Sequence, residues 1–199
     1  MSKDFRSAVQ DRRTIYGVGK DIGISEGKIL DIIQNAVKHT PTAMNSQSGR
    51  VIVLLGQHHA KLWDITLEIL RKMVSEHVFR MTEQKINALR NGYGTILYFE
   101  DQSIIEGLQQ QFPLYQENFP IWSHQASGML QYIIWTELEA EGLGASLHHY
   151  NPIIDSEVQK EWDVPSNWKL IAQMPFGAPV AKPNDKQYLP LEDRMKVFK

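Results

Sequence analysis

The sequence predicts an α+β or α/β sandwich that forms a single domain over residues 1–199. Short apolar runs rich in β-branched and aromatic residues alternate with longer segments whose apolar residues recur at helical spacing. No internal repeat or low-complexity tract divides the chain. With 199 residues, the chain can bury a core large enough to fold without disulfides or structural metals.

Three segments are predicted to be interior strands. Residues 51–55, 95–99 and 169–174 are short and apolar, and they are bounded by glycine, proline or charged residues. Runs of this length and composition are typical of strands that are covered on both faces. We therefore expect them at the centre of a sheet.

The longer segments show the apolar spacing of helices. Ser25 can cap a helix that ends at Thr40 and Pro41, and one stripe of this helix is apolar at residues Ile29, Ile32, Ile33, Ala36 and Val37. The longest pattern, residues 123–141, has an apolar face wide enough for either a domain core or a subunit interface. The other predicted helices are residues 60–74, 82–90 and 155–162.

Composition excludes several classes of function. The absence of cysteine excludes disulfides, thiolate metal sites, iron–sulfur clusters and a cysteine nucleophile. A net charge of −2 without a block of like charge argues against a nucleic-acid partner. The first residues lack a signal-peptide pattern, and no run approaches the about 20 apolar residues that span a bilayer. We expect a soluble cytoplasmic protein with no membrane partner.

The most informative segment is the polar loop, residues 41–50, which lies directly before the first predicted strand. Pro41 interrupts the preceding helix, and Thr42, Asn45 and Gln47 follow it. Their amide and hydroxyl groups donate and accept hydrogen bonds without adding charge. The composition suits recognition of a polar, uncharged ring, although by itself the segment is also an ordinary loop.

A compact set of donors lies near the N-terminus. Arg12, Arg13 and Thr14 follow a short amphipathic helix, and two guanidiniums with a hydroxyl suit a phosphate. Lys186 adds a positive charge to the same anion if the tail folds back. The alternative is a solvated basic helix end and an exposed tail lysine.

The segment after the longest helix can approach a ligand closely. Gly142 and Gly144 give its backbone the freedom to turn. His148 and His149 are adjacent in an extended segment and should point to opposite faces, which argues against a shared metal. The chain also has no histidine spacing typical of zinc or non-haem iron sites.

No side-chain catalytic motif accompanies these segments. The chain lacks a GxSxG elbow, a P-loop and a GxGxxG dinucleotide turn. A bound prosthetic group fits this sequence better than catalysis by side chains. Aromatic residues concentrate at Phe112, Tyr115, Phe119 and Trp122, where prolines 113 and 120 are expected to prevent one regular helix. These rings suit either the cover of a flat ligand or a small satellite core.

Four motifs, in order, resemble the flavin-dependent nitroreductase family, in its short branch, over essentially the whole chain. They are the Arg12-Arg13-Thr14 triplet, the polar loop as P-[ST]-x-x-N-x-Q, the turn at residues 147–149, and Lys186-Gln187-Tyr188 before Leu-Pro-Leu-Glu. The chain departs from the larger family at Tyr16, Tyr188 and His148-His149, and the short branch shares such changes.

The resemblance implies a three-layer sandwich, with a mostly antiparallel central sheet flanked by helices, and a homodimer with FMN at its interface. It implies that the polar loop reaches the flavin bound mainly by the other subunit. The turn at residues 147–149 would contact the pyrimidine edge and N5, partly through its backbone. The implied cofactor-binding residues are Arg12, Arg13, Thr14, Tyr16, Pro41, Thr42, Asn45, Gln47, Leu147, His148, His149, Lys186 and Tyr188. Phe112 and Phe119 are the candidates for a substrate pocket.

The implied activity is reduction of nitroaromatics or quinones by NADH or NADPH, in a ping-pong cycle in which the flavin carries the chemistry. No protein acid, nucleophile or metal is required. A flavin-dependent dehalogenase or dehydrogenase on the same scaffold is an alternative enzyme. A flavin-binding stress-response or regulatory protein with little turnover is an alternative of another class, and the departures at Tyr16, Tyr188 and His148 motivate it.

Overall fold

A computed structural model describes residues 3–199 as three layers, with an antiparallel sheet between two sets of helices. The strands are β1 (Val18–Gly19), β2 (Gly49–Leu55), β3 (Gly94–Asp101), β4 (Gly144–Ala145) and β5 (Trp168–Pro179). Their order is β1-β5-β3-β2, with β4 also pairing with β5. This confirms the α+β sandwich that the resemblance implies and decides against the α/β alternative.

Seven α-helices accompany the strands over the described residues. They are α1 (Phe5–Asp11), α2 (Glu26–His39), α3 (Gly56–Met73), α4 (Glu76–Arg90), α5 (Gln102–Gln111), α6 (Asn118–Ala140) and α7 (Asp155–Glu161). Short 3-10 turns occur at Ala43–Asn45 and Pro113–Tyr115. No helix within residues 3–199 has the length and apolar character needed to cross a bilayer.

Alternation along β3 divides the core between the two faces of the sheet. Ile96 and Tyr98 face a cluster formed mainly by α2, α6 and β5. Leu97 and Phe99 face a second cluster formed mainly by α3, α4 and α7. Successive side chains of a strand point to opposite faces, so one apolar run supports both layers of helices.

The three predicted strands are present, and each is longer in the structure than its apolar run. The interior position expected for residues 51–55 is wrong, because β2 lies at an edge of the sheet and most of its residues are only half-buried. The added residues of the three strands, among them Gly49, Asp101 and Pro179, continue the ladder by backbone hydrogen bonds that need no apolar side chain. The helix capped by Ser25 is confirmed as well, since the Ser25 side chain accepts from the Lys28 N–H. Within its predicted stripe, Val37 is exposed rather than buried.

Helix starts differ from the predictions. The helix expected at residues 82–90 begins at Glu76, and the helix expected at 123–141 begins at Asn118. Pro120 therefore lies inside α6, in the first turn, where a backbone N–H has no intrahelical partner to lose. Pro113 does separate α5 from α6, as expected. No prediction covers α5, in which only Ile105 is buried.

Candidate functional site

The basic triplet is held beside the turn that follows α6. The Ile15 N–H donates to the Ala145 carbonyl at 3.0 Å, and Thr14 forms a parallel bridge with Ala145. Gly144 permits this approach, because a Cβ at that position would lie 2.9 Å from the Ile15 side chain. Pairing of segments far apart in sequence therefore brings together two of the four motifs.

Arg12 is oriented by an aromatic platform on α6. Its guanidinium carbon lies 4.3 Å from the ring centre of Trp135 and 5.7 Å from that of Tyr132. The Arg12 Nε is buried and has no hydrogen-bond partner. A buried donor without a partner is costly, and such donors are typical of sites that a ligand completes.

Arg13 connects the triplet to the C-terminal tail. One of its terminal nitrogens donates to the Asn184 carbonyl at 2.6 Å. Asn184 precedes Lys186 by two residues, so the tail passes the triplet, as the phosphate interpretation requires. The Lys186 ammonium lies 5.3 Å from the ring centre of Tyr188, and both side chains are exposed.

The turn separates its two histidines as expected. His149 is exposed and His148 is buried, with Leu147 half-buried beside them. Backbone hydrogen bonds in both directions with Gln173 fix His148 to β5. Because both backbone groups of His148 are paired with Gln173, the face that remains open to a ligand at this turn consists of Leu147, His149 and their own backbone groups.

His148 lies in an aromatic cluster behind the turn. Its ring stacks on Tyr150 and meets Trp63 and Tyr16 edge-on, each at a centroid distance of 5.9 Å. Its Nε2 lies 2.9 Å from the Ser146 hydroxyl oxygen. Burial, with a smaller effect of nearby Lys85, lowers the pKa of His148 to about 4. The ring is therefore neutral at pH 7, and it supports the turn from the core side.

The polar loop has a strained backbone and exposed amide side chains, of which the Gln47 amide donates to the Asn45 carbonyl at 3.4 Å. Met44, Asn45 and Gln47 all have positive φ, of 52°, 53° and 49°. The Thr42 hydroxyl oxygen accepts from the Gln47 N–H at 3.0 Å. Pro41, Asn45 and Gln47 are exposed. Left-handed conformations of residues other than glycine cost energy and cluster at functional sites.

The polar loop and the basic triplet lie apart within one chain. The loop borders a cleft of about 580 Å³ that is lined by α2, β2 and residues Ala126, Ser127 and Leu130 of α6. Arg12 packs on Tyr132 and Trp135, which lie on a different side of α6. Over residues 3–199 no hydrogen bond joins the loop to the triplet.

Two residues that sequence reasoning missed hold the base of the polar loop. The buried Glu100 carboxylate accepts a hydrogen bond of 2.6 Å from the Ser48 hydroxyl. Arg50 donates to the Gln47 carbonyl at 2.7 Å and to Asp101 at 3.0 Å. The available signal was the Glu-Asp pair that ends the apolar run of β3, where two carboxylates interrupt an interior strand.

These carboxylates have opposite pKa shifts. Burial raises the pKa of Glu100 to about 6, and the Ser48 hydrogen bond and Arg50 only partly offset this. Burial also opposes ionisation of Asp101, but hydrogen bonds from Ser103 and Asn167, together with Arg50, outweigh it and lower its pKa.

The predicted substrate-pocket aromatics lie together near the start of α6. Phe112 and Phe119 have ring centres 6.1 Å apart, and Phe119 meets Trp122 edge-on at 5.3 Å. Phe119 is only 2% exposed, which favours the satellite-core interpretation for its ring. Phe112 is half-buried and retains an accessible edge.

Comparison with known proteins gives one consistent set of relatives. A profile described as the nitroreductase family matches residues 9–178. The nitroreductase FRM2 of Saccharomyces cerevisiae is 31% identical over 188 residues, which cover 94% of this chain and 93% of FRM2. Nitroreductase CinD of Lactococcus lactis, solved with chloramphenicol, superposes with a TM-score of 0.90 at 42% identity, covering 98% of this chain and all of CinD.

Two further solved structures extend the comparison. CinD has also been solved with 4-nitrophenol, at 42% identity and a TM-score of 0.89, with the same coverage. A Desulfovibrio desulfuricans protein solved with FMN shares the fold at 19% identity and a TM-score of 0.69, covering all of both chains.

Proposed function

The chain belongs to the nitroreductase family and is an oxidoreductase, and on that premise we propose that it binds FMN and uses NADH or NADPH to reduce nitroaromatics, quinones or both. The observation that carries the proposal is Arg12. Its guanidinium is stacked on Trp135, its buried Nε lacks a hydrogen-bond partner, and Thr14, two residues further on, forms a bridge with Ala145 just before the turn. A dianionic phosphate is the kind of group that this arrangement suits.

Arg12, Arg13, Thr14 and Lys186 would hold the phosphate of FMN. Its charge is about −1.5 to −2 near pH 7 and requires several cationic donors. Tyr188 and Tyr16 are exposed near these residues and can contact the cofactor's outer edge. Thr14 forms a β-bridge with Ala145, just before the turn. The backbone that would contact the phosphate is therefore joined directly to the backbone that would contact the ring.

The turn and the polar loop would contact the ring. Leu147 and the backbone near His148 and His149 present one open edge, while the buried His148 ring keeps that backbone in place. Asn45 and Gln47 provide amide donors for carbonyl oxygens of a flavin ring. When bound, FMN would supply hydride transfer between the nicotinamide and the acceptor, and donors near its pyrimidine edge would stabilise the charge of the reduced ring.

A homodimer would bring the two ring-contacting regions together. The exposed side of α6 carries an apolar stripe at Ile121, Met129 and Tyr132. Over the described residues β2 pairs only with β3 and forms an edge of the sheet. The C-terminal tail also exposes apolar residues, namely Val180, Leu189, Leu191, Met195, Val197 and Phe198. Exposed apolar stripes and free strand edges are typical of surfaces that a second chain covers.

The proposed acceptors follow from the site and the relatives. We propose no catalytic acid or nucleophile beyond the flavin chemistry, which would suit acceptors that need only electrons and solvent protons. CinD was solved with chloramphenicol and with 4-nitrophenol, both of which are nitroaromatic compounds. Their binding to a relative at 42% identity supports a nitroaromatic acceptor here.

A flavin-binding stress-response or regulatory role with little turnover is the second candidate. Its support is that two tyrosines, Tyr16 and Tyr188, stand exposed where basic residues would otherwise assist a nucleotide. It predicts tight FMN binding without sustained oxidation of NADH or NADPH.

The first test is the visible spectrum of the purified protein, reconstituted with FMN where necessary. Anaerobic addition of NADH or NADPH should bleach the flavin bands, and a nitroaromatic or quinone should restore them. Stable yellow protein that neither coenzyme bleaches would favour the regulatory role. Failure to bind FMN at all would refute the proposed function.

A further inference from the structure

The polar loop holds an unfavourable backbone conformation, and over the described residues its only regular element before β2 is the short 3-10 turn at Ala43–Asn45. Three of the four residues 44–47 have positive φ, and none of them is glycine. Such conformations persist only where surrounding contacts enforce them. Within the loop, four hydrogen bonds support it. The Thr42 hydroxyl accepts from the Gln47 N–H, the Asn45 N–H donates to the Thr42 carbonyl, the Ser46 N–H donates to the Ala43 carbonyl, and the Gln47 amide donates to the Asn45 carbonyl at 3.4 Å.

Arg50 restrains the C-terminal end of the loop. One of its terminal nitrogens donates to the carbonyls of both Gln47 and Gly49, and the other donates to Asp101. The guanidinium carbon also lies 5.6 Å from the ring centre of Trp168. Only the planar fork of arginine can serve the loop carbonyls and the Asp101 carboxylate at once.

Glu100 restrains the same end from the opposite strand. Gly49 pairs with Glu100 in the sheet, and the Asp101 N–H donates to the Ser48 carbonyl. The Glu100 side chain is 1% exposed and accepts from the Ser48 hydroxyl. Ser48 follows Gln47 directly, so both restraints act within one residue of an amide that we assign to the flavin ring.

We propose that Arg50 and Glu100 are positioning residues for the flavin ring, acting through Gln47 and Ser48 to hold the polar loop in its strained, ring-binding conformation. This inference rests on the proposed function, because it presupposes that the loop contacts FMN. Neither side chain is proposed to touch the cofactor.

The test compares binding of FMN with binding of riboflavin, which has the same ring and lacks the phosphate. Arg50→Met should weaken binding of both flavins about tenfold, the expected loss for hydrogen bonds from a charged donor. It should also shift the visible bands of the bound flavin. Arg71→Met is the matched control, since the Arg71 guanidinium lies 4.7 Å from the ring centre of Phe79 in the α3–α4 layer, away from the loop.

A double-mutant cycle tests whether Arg50 acts through Gln47. Arg50→Met should weaken riboflavin binding less in a Gln47→Ala background than in the wild type, since the side chain that it positions is already missing. Equal effects in both backgrounds would overturn the role of Gln47.

Glu100 is tested through its hydrogen bond. Glu100→Gln keeps an oxygen that can accept from Ser48 and should retain near wild-type riboflavin affinity, while Glu100→Leu should weaken it several-fold. Ser48→Ala removes the same hydrogen bond without altering the buried carboxyl. If Glu100→Leu does not fold, the riboflavin affinity of Ser48→Ala still tests the role of this hydrogen bond. Unchanged affinity in Ser48→Ala would refute the role of Glu100.

Failure of this inference is distinguishable from failure of the proposed function. If the wild-type protein binds neither flavin, both are overturned. If the wild type binds both and Arg50→Met binds them with the same affinity and spectrum, only the positioning role fails. Lower thermal stability of Arg50→Met with unchanged flavin binding would likewise assign Arg50 a purely structural role.

Discussion

The basic triplet and the polar loop differ in how completely one chain builds them. The triplet is anchored by a β-bridge, an aromatic platform and a tail contact, and its unpartnered donor points to a ligand. The loop has a strained backbone, is held at its base by hydrogen bonds of Arg50 and Glu100, and has exposed amide side chains. Under the proposed function, this contrast means that a single chain would hold the phosphate, whereas a second chain would be needed to complete the contacts with the ring.

The largest effect should come from disrupting the proposed dimer interface, since the polar loop would contact the flavin bound mainly by the other subunit. Met129→Glu places a charge in the exposed apolar stripe of α6, where Met129 is 41% exposed. We expect the proposed dimer to dissociate and FMN affinity to fall more than about 100-fold, because an unpaired charge in an interface costs several kcal/mol. Sedimentation and flavin titration would measure both changes.

Met81→Glu is the matched control for that variant. Met81 is an exposed methionine on α4, in the layer on the opposite face of the sheet. The Met81→Glu variant should have the same oligomeric state as the wild type. A Met129→Glu protein that remains dimeric with full FMN occupancy would contradict the proposed interface.

The next largest effect should distinguish residues that bind the phosphate of FMN from residues that bind its ring. Arg12→Ala should lower FMN affinity about 100-fold, equivalent to about 2.7 kcal/mol, since it removes charge-assisted hydrogen bonds. Riboflavin affinity should stay unchanged, because riboflavin has no phosphate. Isothermal titration with both flavins measures the difference, and Arg6→Ala on the exposed side of α1 is the control. Equal losses for the two flavins would assign Arg12 to the ring instead.

A substitution at Gly144 tests the close contact that joins the segment of the basic triplet to the segment before the turn. Gly144→Ala would press a methyl group onto the β-branched Ile15 side chain, and we expect a loss of about 2 kcal/mol in the free energy of unfolding. Urea denaturation measures it. Gly107→Ala is the control, because its Cβ would meet nothing within 4 Å in α5, and it should stabilise by about 0.5–1 kcal/mol. A tolerated Gly144→Ala would show that the bridge has room to adjust.

The smallest effect concerns the pH dependence of the loop base. The pKa of Glu100 is about 6 in the folded protein against 4.5 ordinarily, so its ionisation opposes folding, and stability from this group declines as pH rises from about 4.5 through about 6. Glu100→Gln should remove this decline and be more stable than wild type by about 1 kcal/mol at pH 8.

The measurement for Glu100→Gln is the difference between the urea-unfolding curves of variant and wild type at pH 5 and pH 8. Taking the difference cancels the titration of buried histidines such as His148, which both proteins share. A difference that is the same at both pH values would show that Glu100 is not the titrating group.

The sequence predicted those strands and helices that are specified by residues close together in the chain. The strands at 51–55, 95–99 and 169–174 and the helix capped by Ser25 follow from apolar runs and a capping residue, and all are present in the structure. Helix starts were less predictable, because Pro120 is compatible with a first turn and Glu76 begins α4 without a side-chain cap.

For the candidate site, the sequence by itself determined which residue types are available and how His148 and His149 divide between the two faces of an extended segment, because both depend only on composition and on the strand period. Only the tertiary structure decided that Arg12 rests on Trp135, that Gly144 accommodates Ile15 and that Glu100 is buried at the loop base. Each of these contacts joins residues distant in sequence, and their energies depend on burial and orientation that no local pattern records.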